Sequence, residues 1–154
     1  MSGFWRVAFR VQYRLLALSD PIIRRVWRRF GIGNVVELTV DRRDGGGTRS
    51  RLVGLLRADA REYLGHPNGH VGWTRDLVAA GGATLRWHTG PPWPVRAEEL
   101  PGGDERESAI RATGQHPFPG NVIYRLGRRR VREAGVFFRL SRVERSVEGS
   151  GEAG

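Results

Sequence analysis

Over residues 4–18, FWRVAFRVQYRLLAL, apolar positions recur at helical spacing, and Arg6, Arg10 and Arg14 fall near one face, which predicts a helix. Asp20-Pro21 reads as an N-cap followed by proline at the first helical position. The next run sorts Ile22, Ile23, Val26, Trp27 and Phe30 from Arg24, Arg25, Arg28 and Arg29, and Gly31 or Gly33 closes it. From Asn34 the pattern changes. NVVELTV is β-branched and bounded by turn residues, DRRDGGGTRS is a loop or hairpin tip, and RLVGLLRA resumes an extended pattern.

REYLGH fits a short strand and PNG a turn, leading into a helix over about residues 71–80 whose apolar stripe is Val71, Trp73, Leu77 and Val78. Gly81-Gly82 supplies its C-cap. ATLRWHT and WPVRAEEL flank a proline-rich corner as a hairpin, GGDERESAIRATG forms a short polar helix, and NVIYRLGRRRVREAG a helix or helix-turn. VFFRLSRVE is the last strand, and RSVEGSGEAG has nothing to bury and is expected to be disordered. Short turns between strands and the absence of regular βαβ alternation predict an antiparallel sheet closed or half-closed into a small barrel.

At 154 residues the chain suits one compact domain. All 26 basic residues are arginine, so the formal charge of +10 reflects a strong arginine bias and is discounted as a sign of a nucleic-acid partner. It still sets a field that favours anionic partners. The lack of cysteine removes disulfides, thiolate nucleophiles and cysteine metal sites, and fits a reducing, cytoplasmic setting. The N-terminal apolar run is broken by arginines, which reads neither as a signal peptide nor as a spanning helix.

Catalytic templates are missing. His66, His70, His88 and His116 have no metal-site spacing and read as surface-loop residues, no Gly-x-Ser-x-Gly elbow or phosphate-binding loop occurs, and Glu98-Glu99 reads as a solvated corner. An enzyme of this sequence would take its chemistry from a cofactor. GGGTRSR sets flexible backbone beside Arg49 and Arg51, suited to an anionic tail, and GHPNGH leads into the N-terminus of the 71–80 helix, an anion-favouring position. As structural elements alone, the glycines are a hairpin tip and Trp73 a core aromatic.

The segments ELTV, DRRDGGGTRSR, RLVGLL, GHPNGH and WTRDLVAAGGATLRW occur in an order that resembles the deazaflavin-dependent nitroreductase and quinone reductase family of actinobacteria. The Trp-x-Arg-x-Leu helix with its Ala-Ala-Gly-Gly end is the most specific part. The resemblance implies a mainly β split barrel like that of flavin-binding oxidases, flanked by helices, with reduced coenzyme F420, an 8-hydroxy-5-deazaflavin, as hydride donor. By position it assigns Arg51 to the arginine ahead of the family's Pro-Leu pair and Gly54-Leu55 to that pair. Arg43 falls near the family's basic turn residue and Gly69 in the loop against the cofactor. Trp73 is assigned to the wall of the ring pocket, Arg75 to the negative charge, and Asp76 stands where the family has asparagine.

The implied function is hydride transfer to a quinone-like or other small hydrophobic acceptor, with FMN a less favoured cofactor, no metal and no nucleic acid. Tyr124 and His66 are proton-donor candidates by chemistry alone. Asp76, the missing loop lysine and the short stretch between Leu55 and Gly65 depart from the family pattern. They keep open a non-enzymatic split-barrel relative that binds a cofactor or lipid, or a basic membrane-surface module. The organisation expected is a basic amphipathic helical segment over 1–33, the barrel over 34–144 and the tail over 145–154. The first of these could rest peripherally on the inner face of the plasma membrane.

Overall fold

A computed structural model describes residues 2–18 and 20–144, excluding the side chains of Ser2 and of residues 12–20. The expected tail, Arg14 and the Asp20 side-chain cap therefore lie outside what is described. Helices α1 (Ser2–Leu18) and α2 (Asp20–Phe30) come first, followed by strands β1 (Val35–Asp41), β2 (Thr48–Gly54), β3 (Leu56–Ala58) and β4 (Arg61–His66). Then come α3 (Gly72–Ala80), β5 (Gly82–Arg86), β6 (Trp93–Glu99), α4 (Asp104–Ala112), a 3₁₀ turn at Thr113–Gln115, α5 (Gly120–Leu126), α6 (Arg128–Ala134) and β7 (Val136–Arg142).

The seven strands form one sheet in the order β2-β1-β5-β6-β7-β4-β3, every neighbouring pair antiparallel. RLVGLLRA, expected as one extended run, is two strands at opposite edges of that order, separated only by Leu55. Laid flat, the edges would stand about 29 Å apart, at six strand spacings. The two peptide units around Leu55 reach only about 7 Å. The sheet must therefore curl until its edges meet. Asn34 fixes the crossing: its carbonyl accepts from Leu55 N at 2.9 Å and its amide Nδ2 donates to Leu55 O at 3.0 Å.

Alternation along the strands divides the interior in two. Val36, Leu38 and Val40 of β1 point into the barrel with Leu55, Leu64, Leu85, Val95 and Phe138. Their chain neighbours Tyr63 and Phe137 face outward into a second core with Phe9, Ile110, Tyr124 and Val131 from the helices. β4 and β7 are thus buried on both faces. Gly65 belongs to that arrangement, since a Cβ there would lie 2.5 Å from the Phe137 ring.

The apolar stripe of α2 divides in a way that periodicity did not foretell. Trp27 is fully buried and donates from Nε1 to Val35 O at 2.9 Å, Ile23 is half-buried, and Ile22, Val26 and Phe30 stand exposed. Arg24 donates to Glu37 Oε2 at 2.9 Å, Arg86 to Glu37 Oε1 at 3.1 Å, and the Arg86 guanidinium sits 5.8 Å from the Trp27 ring. Only one narrow side of α2 docks. In α3 the expected stripe also shifts: Trp73 and Leu77 are buried and Val71 half-buried, Val78 is exposed, and Thr74 and Asp76 take the remaining buried positions.

Trp27→Ala should cost about 3–5 kcal/mol of stability, the range for truncating a buried large aromatic. Trp27→Phe, which keeps most of the packing and loses the hydrogen bond to Val35, should cost less. Urea unfolding monitored by circular dichroism measures both.

Candidate functional site

The β1–β2 hairpin and the start of α3 meet at one end of the barrel. The 42–47 turn closes through Arg42 N donating to Gly47 O at 2.8 Å, with Gly45 and Gly47 at φ +77° and +88°, a region glycine occupies without steric cost. From this hairpin two arginines reach Asp76. Arg49 Nε donates to Asp76 Oδ2 at 2.9 Å, while Arg43 contributes its backbone N–H at 3.3 Å and a guanidinium nitrogen at 3.7 Å, both to Oδ1. Asp76 is 2% exposed, so the carboxylate is held inside by this pairing. The partners are Arg49 and Arg43, and neither Arg51 nor Arg75. Arg49 also lies over the first turn of α3, where a Cβ at Gly72 would come within 2.8 Å of its guanidinium.

The helix itself is closed at both ends. Thr74 Oγ1 accepts from Val71 N at 2.7 Å and donates to Val71 O at 3.0 Å. At the other end Gly81, at φ +71°, donates its N–H to Leu77 O.

Arg51 pairs in register with Leu38 and Arg49 with Val40, so both arginines share the inward side of the edge strand. Arg51 is exposed, and it and the exposed Arg75 make no ion pair among the described residues. Gly54 and Leu55 are not part of this cluster. They lie at the far end of β2, roughly 17 Å along the strand from Arg49, where Gly54 leaves room for the His116 ring. Trp73, 7% exposed, packs in the barrel core with Leu77. Gly69, at φ +88°, lies in the loop between His66 and α3.

Of the four histidines, His70 and His88 do lie in loops and are part-exposed, His66 is a buried strand residue, and His116 is half-buried against the helical layer. His66 is buried, its ring edge-on to Trp73 at 6.3 Å, and it accepts from Asn68 N at 3.3 Å. Burial pushes its pKa down to about 4, so the ring is neutral near pH 7 and cannot donate as an imidazolium there. His116 stacks on Tyr124 with centroids 4.8 Å apart, and burial likewise lowers it to about 4. Tyr124 lies in the outer core, on the other face of the sheet from His66. His70 bridges Glu99 Oε1 at 2.8 Å and Thr74 Oγ1 at 3.3 Å, while Glu98 and Glu99 are both exposed, as a solvated corner requires. Asn68, which no spacing singled out, has its Oδ1 buried with no hydrogen-bond donor among the described residues. Its place in the Pro-Asn-Gly turn was the only available hint.

The chain has the split β-barrel fold, a curled antiparallel sheet with flanking helices, shared with proteins of solved structure. No family model and no curated protein sequence matches it. The heme storage protein HutZ of Vibrio cholerae superposes with a TM-score of 0.55 at 12% identity, over 81% of this chain and 90% of that one. An F420-H2 dependent reductase, FDR-A, gives 0.54 at 17% identity, over 70% and 94%. A putative 5-nitroimidazole antibiotic resistance protein from Bacteroides thetaiotaomicron gives 0.52 at 8% identity, over 73% and 74%. These likenesses establish the fold.

A histidine held neutral by burial gives stability that is complete above its unfolded pKa of about 6.5 and is lost as pH falls towards about 4. By pH 5, His66 and His116 should each have withdrawn about 2 kcal/mol. His116→Phe, which keeps a ring against Tyr124, should flatten the fall in urea-unfolding stability between pH 7 and pH 5 by roughly that amount. An unchanged slope would show that the ring protonates without cost in the folded protein.

Proposed function

We propose that this protein is an oxidoreductase that binds the deazaflavin coenzyme F420 in preference to FMN and reduces a small hydrophobic, quinone-like acceptor. The observation that carries this reading is Arg51, an exposed guanidinium unpaired among the described residues, on the inward side of an edge strand and two residues from the Arg49 that lies over the start of α3. A guanidinium fork so placed suits a phosphate or carboxylate, and the first turn of α3 adds to the attraction. The order of the hairpin, the glycine loop and the Trp73 helix supports the same reading, as does a fold shared with an F420-H2 dependent reductase.

The residues present fit such a group in part. Arg51 and Arg75 would hold its negative charge, and Asn68 Oδ1 is an acceptor that an imide N–H of a flavin-type ring would satisfy. When bound in reduced form, the coenzyme supplies the hydride. The chain's own contribution is position, an electropositive rim and a dry interior behind Trp73. The Asp76 pairing takes Arg49 and Arg43 out of direct anion binding, and this is the specific observation that favours a barrel which binds a cofactor or lipid without turnover.

Equilibrium dialysis against oxidised F420 and against FMN separates the two readings. The enzyme reading expects tighter retention of F420 than of FMN, and binding that weakens with salt. Loss of retention even at about 100 μM, equivalent to roughly 5.5 kcal/mol, sinks it in favour of the non-enzymatic barrel. Arg51→Lys keeps the charge and loses the bidentate fork, so it should still weaken binding by about 1–2 kcal/mol. Asp76→Asn should act in the opposite direction on the ligand, freeing Arg49 for the anion while lowering the protein's own stability.

A further inference from the structure

Among the described residues, eleven large apolar side chains stand exposed, and nine of them fall on α1, α2 and the 118–126 segment. On α1 these are Phe4, Val7 and Val11, spaced to share one side of the helix, while Phe9 and Trp5 on another side pack inward. α1 lies against α5: the Phe9 and Tyr124 rings meet edge to face with centroids 5.5 Å apart, and a Cβ at Gly127 would be 3.0 Å from the Phe9 ring. α5 in turn leaves Val122 and Leu126 exposed, and Phe118 just before it is 80% exposed. Apolar groups on neighbouring helices are thus left uncovered by the described residues.

The charge around them is predominantly positive, with Arg129 paired to the exposed Glu133 at 3.2 Å. No acidic residue occurs in 2–18 or in 113–132, while Arg6, Arg10, Arg125 and Arg129 are exposed there. Arg128 and Arg130 each keep a buried Nε with no acceptor among the described residues. α2, which touches α1, repeats the arrangement, with Ile22, Val26 and Phe30 exposed beside Arg25, Arg28 and Arg29. No described helix is long and apolar enough to cross a membrane.

We infer that α1 and α5, extended by α2, form a docking surface for an anionic lipid bilayer, with the apolar side chains entering the headgroup boundary and the arginines on lipid phosphates. Charge complementarity selects this occupant. A second copy laid on the same face would bring arginine against arginine, and a nucleic acid would leave Phe4, Val7, Phe118 and Leu126 against phosphate. A bilayer satisfies both the apolar and the cationic groups. Compared with a surface built from residues 1–30 alone, α5 adds a second anchoring element fixed to the folded domain. The inference does not depend on which cofactor the barrel binds.

The test is flotation of the full chain with phosphatidylcholine vesicles, with and without phosphatidylglycerol. Binding should require the anionic lipid and fall with added salt. Each arginine near the surface is worth roughly fivefold in affinity, so Arg10→Gln with Arg125→Gln should weaken binding about 25-fold. Phe4→Ser with Leu126→Ser, both at exposed positions, should weaken it at least tenfold while circular dichroism stays unchanged. Equal binding to neutral and anionic vesicles, or no binding to either, overturns the proposal. So does undiminished binding of the serine variant, which would mark a purely Coulombic polyanion surface. A dimer that the serine variant dissolves, without vesicle binding by the original chain, would assign the face to self-association.

Discussion

Leu55 separates two strands that occupy opposite edges of the seven-stranded sheet, and so short a span allows no flat arrangement. Curling follows, and with it an inside: Val36, Leu38, Leu64, Leu85 and Phe138 can meet only because the sheet turns back on itself. Asn34 holds the crossing from both sides through backbone and side chain. The crossing also orders the outside. Once β3 and β4 are carried to the far edge beside β7, their second face needs cover, and the α1, α4, α5 and α6 layer supplies it through Phe9, Ile110, Tyr124 and Val131.

At the other end of the barrel a buried carboxylate does for the hairpin what Asn34 does for the crossing. A glycine-rich tip has little packing of its own, and Asp76 ties it to α3 through Arg49 and Arg43. The same contact decides which cations of the hairpin are neutralised. Arg51, two residues further along, keeps the inward orientation that its register with Leu38 imposes and is not drawn into the pair. Two arginines on the same side of one strand thus differ in what they do for the fold: Arg49 is committed to Asp76, and Arg51, one pleat repeat further along, stays outside that pair.

Most elements were legible in the sequence because their signals are local. The alternation of Val36, Leu38 and Val40 marks β1, Gly81 marks the end of α3, and the Pro-rich corner marks the β5–β6 hairpin. The break at Leu55 was not legible, since a residue crossing between sheet edges has the same local pattern as one continuing a strand. The burial of Asp76, His66 and His116 was hidden for a related reason. The Asp76 carboxylate is made tolerable by Arg49, 27 residues away in sequence, a partner no spacing rule reports, while the two rings are tolerated because burial keeps them neutral. The α2 stripe failed differently. Periodicity identifies an apolar side correctly, but how much of that side is covered depends on where the barrel lies, and there only Trp27 reaches it fully.

A sheet that curls without pairing its two edges to each other leaves backbone groups that another chain could add a strand to, the usual route by which β proteins aggregate. β2 is such an edge, and the Arg24 guanidinium is bonded both to the Ser50 carbonyl of that strand at 3.1 Å and to Glu37 on the strand beside it. A charged side chain anchored across an edge in this way cannot be displaced by an incoming strand without leaving Glu37 short of a partner. The docking of α2 therefore has a kinetic meaning as well as a packing one. It keeps the exposed flank of the barrel from serving as a template, so a chain that lost this helix would be prone to fibril growth as well as to unfolding.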